Sequence, residues 1–274
     1  MDGPAHDPVE LLHWYMDAGV DIALQDEPID RFAASKQAEK SAPQQKRDTA
    51  PRLKRDAAPN ASPPQAAATK VAMPDSAAID TAKEAAAKAE TLDELKSALE
   101  TFEGCNLKFT ARSTVFADGS RDSRLMIIGE APGRDEDEQG LPFVGRSGQL
   151  LNRILGGIGL AREDVYITNV IAWRPPGNRA PTPMETEICR PFIERHIELK
   201  QPEVILLLGG SSTKAMLKTT KGILSLRGKW ADISIGGRDI PTLPSLHPAY
   251  LLRQPQQKKL VWQDMLSLQK KLEG

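Results

Sequence analysis

The carboxyl-terminal part of this 274-residue chain predicts an α/β fold, with helices on both faces of a mostly parallel sheet. Four short apolar runs are typical of buried strands. They occupy residues 125–128, 165–171, 204–208 and 240–243. Segments with helical periodicity separate them, at residues 148–158, 183–199 and 211–217. Strands that alternate with helices favour a parallel sheet.

Helices are also predicted on both sides of this alternation. Residues 82–101 carry leucines at helical spacing, and a final helix covers residues 258–272. Thr182 and Pro183 mark the start of the long central helix, because Thr caps a first turn and Pro is favoured at the first helical position.

The sequence divides into three parts. Residues 1–32 hold a short amphipathic helical segment, with a break near Gly19. This helix either packs on the main domain or docks a partner. Residues 33–80 are rich in Ala, Pro, Gln, Lys and Asp and poor in large apolar side chains, so they predict a flexible linker. Residues 81–274 form the main domain.

The composition predicts a cytoplasmic protein and suits a polyanionic partner. The amino terminus is acidic and lacks the apolar core of a secretory signal, and no apolar stretch approaches the ~20 residues that span a bilayer. Cys105 and Cys189 are too few for a disulfide framework and fit a reducing compartment. The formal net charge is −1, but acidic residues predominate before residue 100 and basic residues after it.

Two motifs far apart in the chain each follow a predicted strand. Residues 129–133 form a Gly-Glu-Ala-Pro-Gly turn that presents Glu130, and residues 246–253 begin Leu-His-Pro and present His247. Loops at the carboxyl ends of parallel strands line one crevice, so we expect this carboxylate and this imidazole to share a pocket. A neutral imidazole there can donate a hydrogen bond to a developing anion.

Other polar and aromatic residues near strand ends have two interpretations each. Phe143 lies between two glycines and beside a proline, and is either core or a platform on which a planar ring stacks. Asn169 lies in an apolar strand, and its amide is either satisfied by backbone or held for a ligand. Arg174 and Arg179 flank a rigid turn that either contacts phosphate or is a charged surface turn.

Several common chemistries have no motif in this sequence. There is no P-loop, no zinc-binding Cys/His spacing and no nucleophile elbow. The lack of a phosphate-cradling motif argues against a nucleotide-binding or nucleotide-hydrolysing domain of similar architecture.

Taken in order, the motifs resemble the family-four branch of the uracil-DNA glycosylase superfamily over about residues 92–272. The pieces that carry the resemblance are residues 129–133, 140–151, 167–170 with 174–179, and 247–248. The resemblance implies a shallow three-layer α/β/α sandwich around a four-stranded parallel sheet. It also implies a monomer that hydrolyses the bond between uracil and deoxyribose in single- or double-stranded DNA, and leaves an abasic site.

Such chemistry needs the nucleotide rotated out of the DNA into a pocket. The resemblance assigns Phe143 to stacking and Asn169 to the uracil edge. It also assigns the Ala131 amide to one base oxygen and Glu136 to a wall against the methyl group of thymine.

The resemblance assigns the chemistry to two residues. His247 stabilises negative charge on the departing base, and Glu130 stabilises positive charge on the sugar or orients water. The first family of the superfamily has Asp where this chain has Ala131, so no dedicated general base is assured.

The segment after His247 supplies DNA contacts in this interpretation. Leu251 and Leu252 either fill the gap left by the extruded base or simply begin a helix, and Arg253 is placed for phosphate contact.

The chain departs from the family at the ligands of a four-iron, four-sulfur cluster. Cys105 and Cys189 match the first and last of the usual four cysteines, but Lys108 and Trp173 stand at the second and third. Two thiolates cannot supply four ligands, so we expect no cofactor, and we expect Trp173 to fill the space by packing.

The alternative function is a non-catalytic or very slow binder of uracil-containing or abasic DNA. Superfamily members that trap DNA covalently carry a basic, histidine-containing insertion after the strand that bears Asn169. Here residues 174–179 run directly into Pro181 without one, which favours the enzyme.

Overall fold

The computed structural model describes residues 75–274, which contain six strands and ten α-helices. The strands are β1 (Asp118–Gly119), β2 (Leu125–Gly129), β3 (Tyr166–Asn169), β4 (Val204–Leu208), β5 (Ala231–Ile235) and β6 (Arg238–Ser245). The helices are α1 (Asp75–Lys88), α2 (Leu92–Thr101), α3 (Leu107–Thr110), α4 (Arg134–Gln139), α5 (Arg146–Gly156), α6 (Pro183–Lys200), α7 (Gly210–Leu217), α8 (Ile223–Leu226), α9 (Pro248–Arg253) and α10 (Lys258–Glu273).

The strands form one sheet in the order β1-β3-β2-β4-β6-β5. The four central strands are parallel and correspond to the four predicted runs, so the α/β fold class is confirmed. The expected number of strands is wrong, because β1 and β5 add antiparallel edges to the sheet. These edges lack a long apolar run: β1 has two residues, and in β5 only Ile233 is buried.

Helices cover both faces of the sheet, as a three-layer sandwich requires. Successive side chains of a strand point to opposite faces. Met126 and Ile128 of β2 belong to one buried cluster with residues of α1, α2 and α6. Leu125 and Ile127 belong to a second cluster with residues of α5 and α10.

The first described helix begins earlier than predicted. Residues 75–80 of the predicted linker are helical, and the helix predicted over residues 82–101 is two helices, α1 and α2. Thr91 separates them, because its hydroxyl accepts the Glu94 N–H at 3.2 Å and caps α2. The helix predicted in residues 1–32 and the linker up to residue 74 lie outside the described residues. Within residues 75–274, no helix has the length and apolarity needed to cross a bilayer.

The order of the parallel strands places a crevice beside β2 and β4. The chain leaves β2 toward β3 on one side, and leaves β4 toward β6 on the other. Ligands of open α/β sheets bind at such a switch point, outside the carboxyl ends of the strands.

Candidate active site

A cavity of about 740 Å³ opens at the carboxyl ends of the parallel strands. All six residues predicted to be catalytic or to bind the substrate line it: Glu130, Ala131, Glu136, Phe143, Asn169 and His247. They come from the loop after β2, helix α4, the loop before α5, the end of β3 and the loop after β6. The structure therefore brings the two distant motifs to one cavity.

Gly129 has no side chain, and this leaves room for the amide of Asn169 and the ring of Phe143 to pack against its backbone at the cavity. Gly129 and Asn169 end β2 and β3 and are partners in the parallel register. A Cβ atom on Gly129 would lie 2.3 Å from Asn169 Oδ1 and 2.7 Å from the Phe143 ring. Any larger residue would displace both side chains.

Asn169 presents an amide without a protein partner. The residue is 6% exposed and lines the cavity, and no hydrogen bond among residues 75–274 involves its side chain. A buried amide normally has partners, so this donor and acceptor are available to a ligand.

Phe143 forms a buried aromatic wall whose ring lies near that of His247. The two ring centroids are 5.4 Å apart, with 28° between the ring planes. The backbone of Phe143 has φ of +52°, which bulky residues seldom adopt. A Cβ atom on Gly148 would lie 1.7 Å from the Phe143 carbonyl oxygen, so the start of α5 must be glycine there.

Glu136 connects the two loops on either side of α4. One carboxylate oxygen accepts the Gly133 N–H at 3.1 Å, and the other accepts the N–H groups of Val144 and Gly145, both at 3.1 Å. The residue lies at the cavity wall, where the resemblance places it, and it also fixes the loop that carries Phe143.

His247 has a defined protonation state and orientation. It caps α9, and its Nδ1 accepts the Ala249 N–H at 3.1 Å. Burial, with a smaller contribution from the positive charge of Arg253, lowers the pKa of His247 to about 4. The imidazole is therefore neutral at pH 7, and its proton is on Nε2, which can donate. Gly209 packs against it, since a Cβ atom there would lie 3.1 Å from His247 Cβ.

Glu130 lies at the rim of the cavity on an anchored turn. Its carbonyl oxygen accepts the Ile171 N–H at 3.1 Å, which ties the turn to the end of β3. None of the hydrogen bonds or ion pairs among residues 75–274 involves the Glu130 carboxylate or the Ala131 N–H. Both groups can therefore contact a ligand.

The predicted phosphate-binding arginines have different surroundings. Arg179 and Arg253 line the cavity, whereas Arg174 does not. Arg174 Nε donates to Asn178 at 2.7 Å, and Arg179 makes a bidentate pair with Glu185 at 2.8 and 2.6 Å. Arg253 is exposed beside the cavity.

The two leucines considered as a wedge differ in how far their side chains are buried. Leu251 is 0% exposed and belongs to the cluster with α5 and α10, whereas Leu252 is 39% exposed. For Leu251, this burial favours the second interpretation, an ordinary residue at the start of a helix. Leu252 alone is accessible.

Sequence reasoning missed several residues of the cavity wall, among them Gly209, Gly210, Leu224 and Tyr250. The glycine pair follows a predicted strand directly, so the argument used for Glu130 and His247 would have found it. Leu224, 63% exposed on the four-residue helix α8, has no such signal.

The residues at the expected cluster position do not fit an iron–sulfur centre. Cys105 and Cys189 are buried, and the Lys108 ammonium donates to the Glu100 carbonyl instead of facing them. Trp173 is 1% exposed, and its indole N–H donates to the Thr114 hydroxyl at 3.1 Å. Within residues 75–274, no group of three or more His, Cys, Asp or Glu side chains is placed to hold a metal ion.

The fold and the cavity define a class of protein: an α/β protein with a cavity at the switch point of its sheet, lined by aromatic and polar side chains. Residues 116–266 match the family described as the Uracil DNA glycosylase superfamily. The chain belongs to this superfamily.

Relatives support the resemblance to its family-four branch. The chain is 42% identical over 150 residues to the Type-4 uracil-DNA glycosylase of Thermotoga maritima, covering 54% of this chain and 77% of that protein. It is 41% identical over 158 residues to the Type-4 uracil-DNA glycosylase of Archaeoglobus fulgidus, covering 56% and 78%.

Proposed function

We propose that this protein is a uracil-DNA glycosylase of base excision repair, which hydrolyses the N-glycosidic bond of uracil in DNA. The observation that carries the proposal is the convergence of Glu130, Phe143, Asn169 and His247 on one cavity. Membership in the superfamily and the Type-4 relatives support the same activity.

The cavity accepts the uracil after its nucleotide rotates out of the DNA. The uracil stacks on Phe143, and the Asn169 amide pairs with its polar edge. The Ala131 N–H donates to one base oxygen. Glu136, held by three backbone N–H groups, closes the side where thymine carries its methyl group.

Bond cleavage sends the electron pair of the C1′–N1 bond onto the base. His247 donates from Nε2 to a uracil oxygen, and this hydrogen bond strengthens as negative charge develops. The Ala249 N–H holds the donor tautomer in place before the reaction begins. A neutral donor also avoids the cost of a buried cation in the absence of substrate.

Glu130 acts on the sugar side of the reaction. Its carboxylate either stabilises positive charge on the deoxyribose or orients the water that adds to C1′. That water loses a proton as the new C1′–O bond forms, and the uracil anion takes up one proton, so that neutral uracil and the abasic sugar are the products. Ala131 has no side-chain group that could accept this proton.

Contacts at the rim of the cavity and beside it hold the DNA. Leu252 fills the gap left by the uracil, and Arg253 contacts a phosphate beside it. Arg179 faces the cavity and also contacts the backbone, while Arg174 supports the same turn through Asn178. The protein acts as a monomer on single- and double-stranded DNA.

The reaction proceeds without a cofactor. An iron–sulfur cluster would need four thiolates near Trp173, and the chain has two. The two cysteines are buried and form no disulfide, which suits the reducing cytoplasm. The catalytic domain includes α1 and so begins by Asp75, earlier than the predicted boundary at residue 81.

The test is release of free uracil from a uracil-containing oligonucleotide without added metal, in single- and double-stranded form. The unmodified protein should release uracil, and the double variant His247→Ala, Asn169→Ala should not. Binding without release would indicate the alternative, a non-catalytic binder. Equal release by the double variant would place the reaction in another cavity.

A further inference from the structure

The backbone around Phe143 is held from two sides. Its φ of +52° is unfavourable for a residue with a bulky side chain, so neighbouring groups must maintain it. Glu136 binds the N–H groups that follow Phe143, those of Val144 and Gly145. A different residue, Arg162, binds the carbonyl groups of Pro142 and of Phe143 itself.

Arg162 binds two consecutive carbonyl groups with one guanidinium. Its Nη1 donates to the Phe143 carbonyl at 3.0 Å, and its Nη2 donates to the Pro142 carbonyl at 2.6 Å. Nη1 also lies 3.2 Å from Asn152 Oδ1 on α5. The planar guanidinium therefore fixes the two peptide groups on either side of the Phe143 Cα atom.

Asp118 orients this guanidinium from the edge of the sheet. Arg162 Nε donates to Asp118 Oδ2 at 2.6 Å, and the two side chains are only 20% and 30% exposed. Asp118 lies on β1, where it pairs with Ile167 of β3. The contact connects the aromatic wall of the cavity to the same strand that ends at Asn169.

We propose that Arg162, oriented by Asp118, is a positioning residue that holds the Phe143 ring for base stacking. Arg162 does not line the cavity, so it acts through Phe143 and not on the substrate. The proposal rests on the proposed glycosylase function and adds a residue that the sequence motifs did not indicate.

Lysine cannot replace Arg162 in this role. Its ammonium is a single point charge, whereas the guanidinium directs separate N–H groups at two carbonyls and a carboxylate in one plane. Arg162→Lys therefore keeps the positive charge and removes the geometry. Asp118→Asn is a second, milder variant, because it keeps the size of the side chain and removes the charge that orients Arg162.

The test is a double-mutant cycle between Arg162→Lys and Phe143→Leu, with single-turnover uracil release as the readout. Phe143→Leu keeps an apolar side chain and removes the flat ring. In the unmodified background, Arg162→Lys should lower the rate by about tenfold or more, since small misplacements of a binding group are costly. In the Phe143→Leu background, it should change the rate by less than about twofold.

Arg124→Lys is the matched control. Arg124 makes similar contacts, with Nε 2.7 Å from Glu203 Oε2 and Nη1 2.9 Å from the Leu272 carbonyl, but it precedes β2 at the opposite end of the strand. The Arg124→Lys variant should release uracil at the same rate as the unmodified protein. The melting temperature and the pH dependence of the rate should be measured for every variant.

The outcomes separate this proposal from the proposed function. Normal uracil release by Arg162→Lys and Asp118→Asn would overturn the positioning role alone. An equal loss in both backgrounds would also overturn it, because Arg162 would then act independently of the ring. Failure of the unmodified protein to release uracil would overturn the proposed function itself. If Arg162→Lys fails to fold, the same cycle with Asp118→Asn decides.

Discussion

Phe143 and His247 come from loops that follow different strands, yet their rings lie with centroids 5.4 Å apart and planes inclined by 28°. The stacking wall and the hydrogen-bond donor of the proposed reaction are thus parts of one surface. A planar base that rests against Phe143 presents its edge to neighbouring polar groups, so recognition and catalysis depend on the same local packing.

His247→Ala should lower single-turnover uracil release by about 10²- to 10³-fold, as expected when a donor to a developing oxyanion is removed. Binding of uracil-containing DNA should change much less, because the hydrogen bond strengthens in the transition state. A rate within twofold of the unmodified protein would contradict the assigned role.

The rate should not follow a histidine titration between pH 6 and 8. The pKa of His247 is lowered to about 4 by burial, so the imidazole stays neutral throughout this range. A transition near pH 6.5 that is present in the unmodified protein and absent from His247→Gln would show that the group is solvated and titrates normally.

Stability should fall as the pH drops below about 6.5. Burial lowers the pKa of His196 to about 3, and Tyr166 Oη lies 2.8 Å from its Nε2. The unfolded chain binds a proton at each of His196 and His247 in a range where the folded chain does not. Between the pKa of the unfolded histidine and that of the folded one, each group lowers the free energy of unfolding by about 1.4 kcal/mol for each pH unit of acidification.

This loss can be measured by urea unfolding at pH 7.5 and pH 5. The difference between the two pH values should be smaller for His196→Gln than for the unmodified protein. Equal differences would mean that His196 is protonated in the folded state.

Gly129→Ala should lower activity by about 100-fold while the protein remains folded, because the new Cβ displaces Asn169 and Phe143. Gly156→Ala is the control, since a Cβ atom at that position in α5 meets nothing within 4 Å. Comparable activity of the two variants would show that close approach at Gly129 is not required.

The two adjacent leucines should respond to alanine in different ways. Leu251→Ala should lower the unfolding free energy by about 2–5 kcal/mol, because the side chain is fully buried. Leu252→Ala should leave stability unchanged and lower the rate on double-stranded DNA by about tenfold, with a smaller effect on single strands. Equal losses on both DNA forms would contradict the wedge role of Leu252.

The purified protein should contain no stoichiometric iron, and a chelator should not change uracil release. The reason is that Cys105 and Cys189 supply only two thiolates, and Trp173 packs where a third ligand would stand. Iron and labile sulfide near four equivalents per chain would show that another set of ligands exists.

The sequence predicted the parts of this fold that depend on local pattern. Buried apolar runs identified the four parallel strands. The Gly-rich turn after one of them located Glu130, and the His-Pro segment after another located His247. The edge strands were missed because β1 is two residues long, and β5 is a short strand of alternating apolar and polar residues without a continuous apolar run. The two interpretations of Leu251 stayed open at the level of sequence, because its burial depends on how α9 is rotated against the core. Arg162 was missed because its partners are backbone carbonyls and a carboxylate that only the tertiary structure brings together.

The most direct test of the account is a crystal structure of the His247→Ala variant with a uracil-containing oligonucleotide. The account predicts uracil out of the stack and inside the cavity, with its ring on Phe143 and its edge at the Asn169 amide. Uracil that remains stacked in the DNA, or that lies away from Phe143 and Asn169, would contradict it.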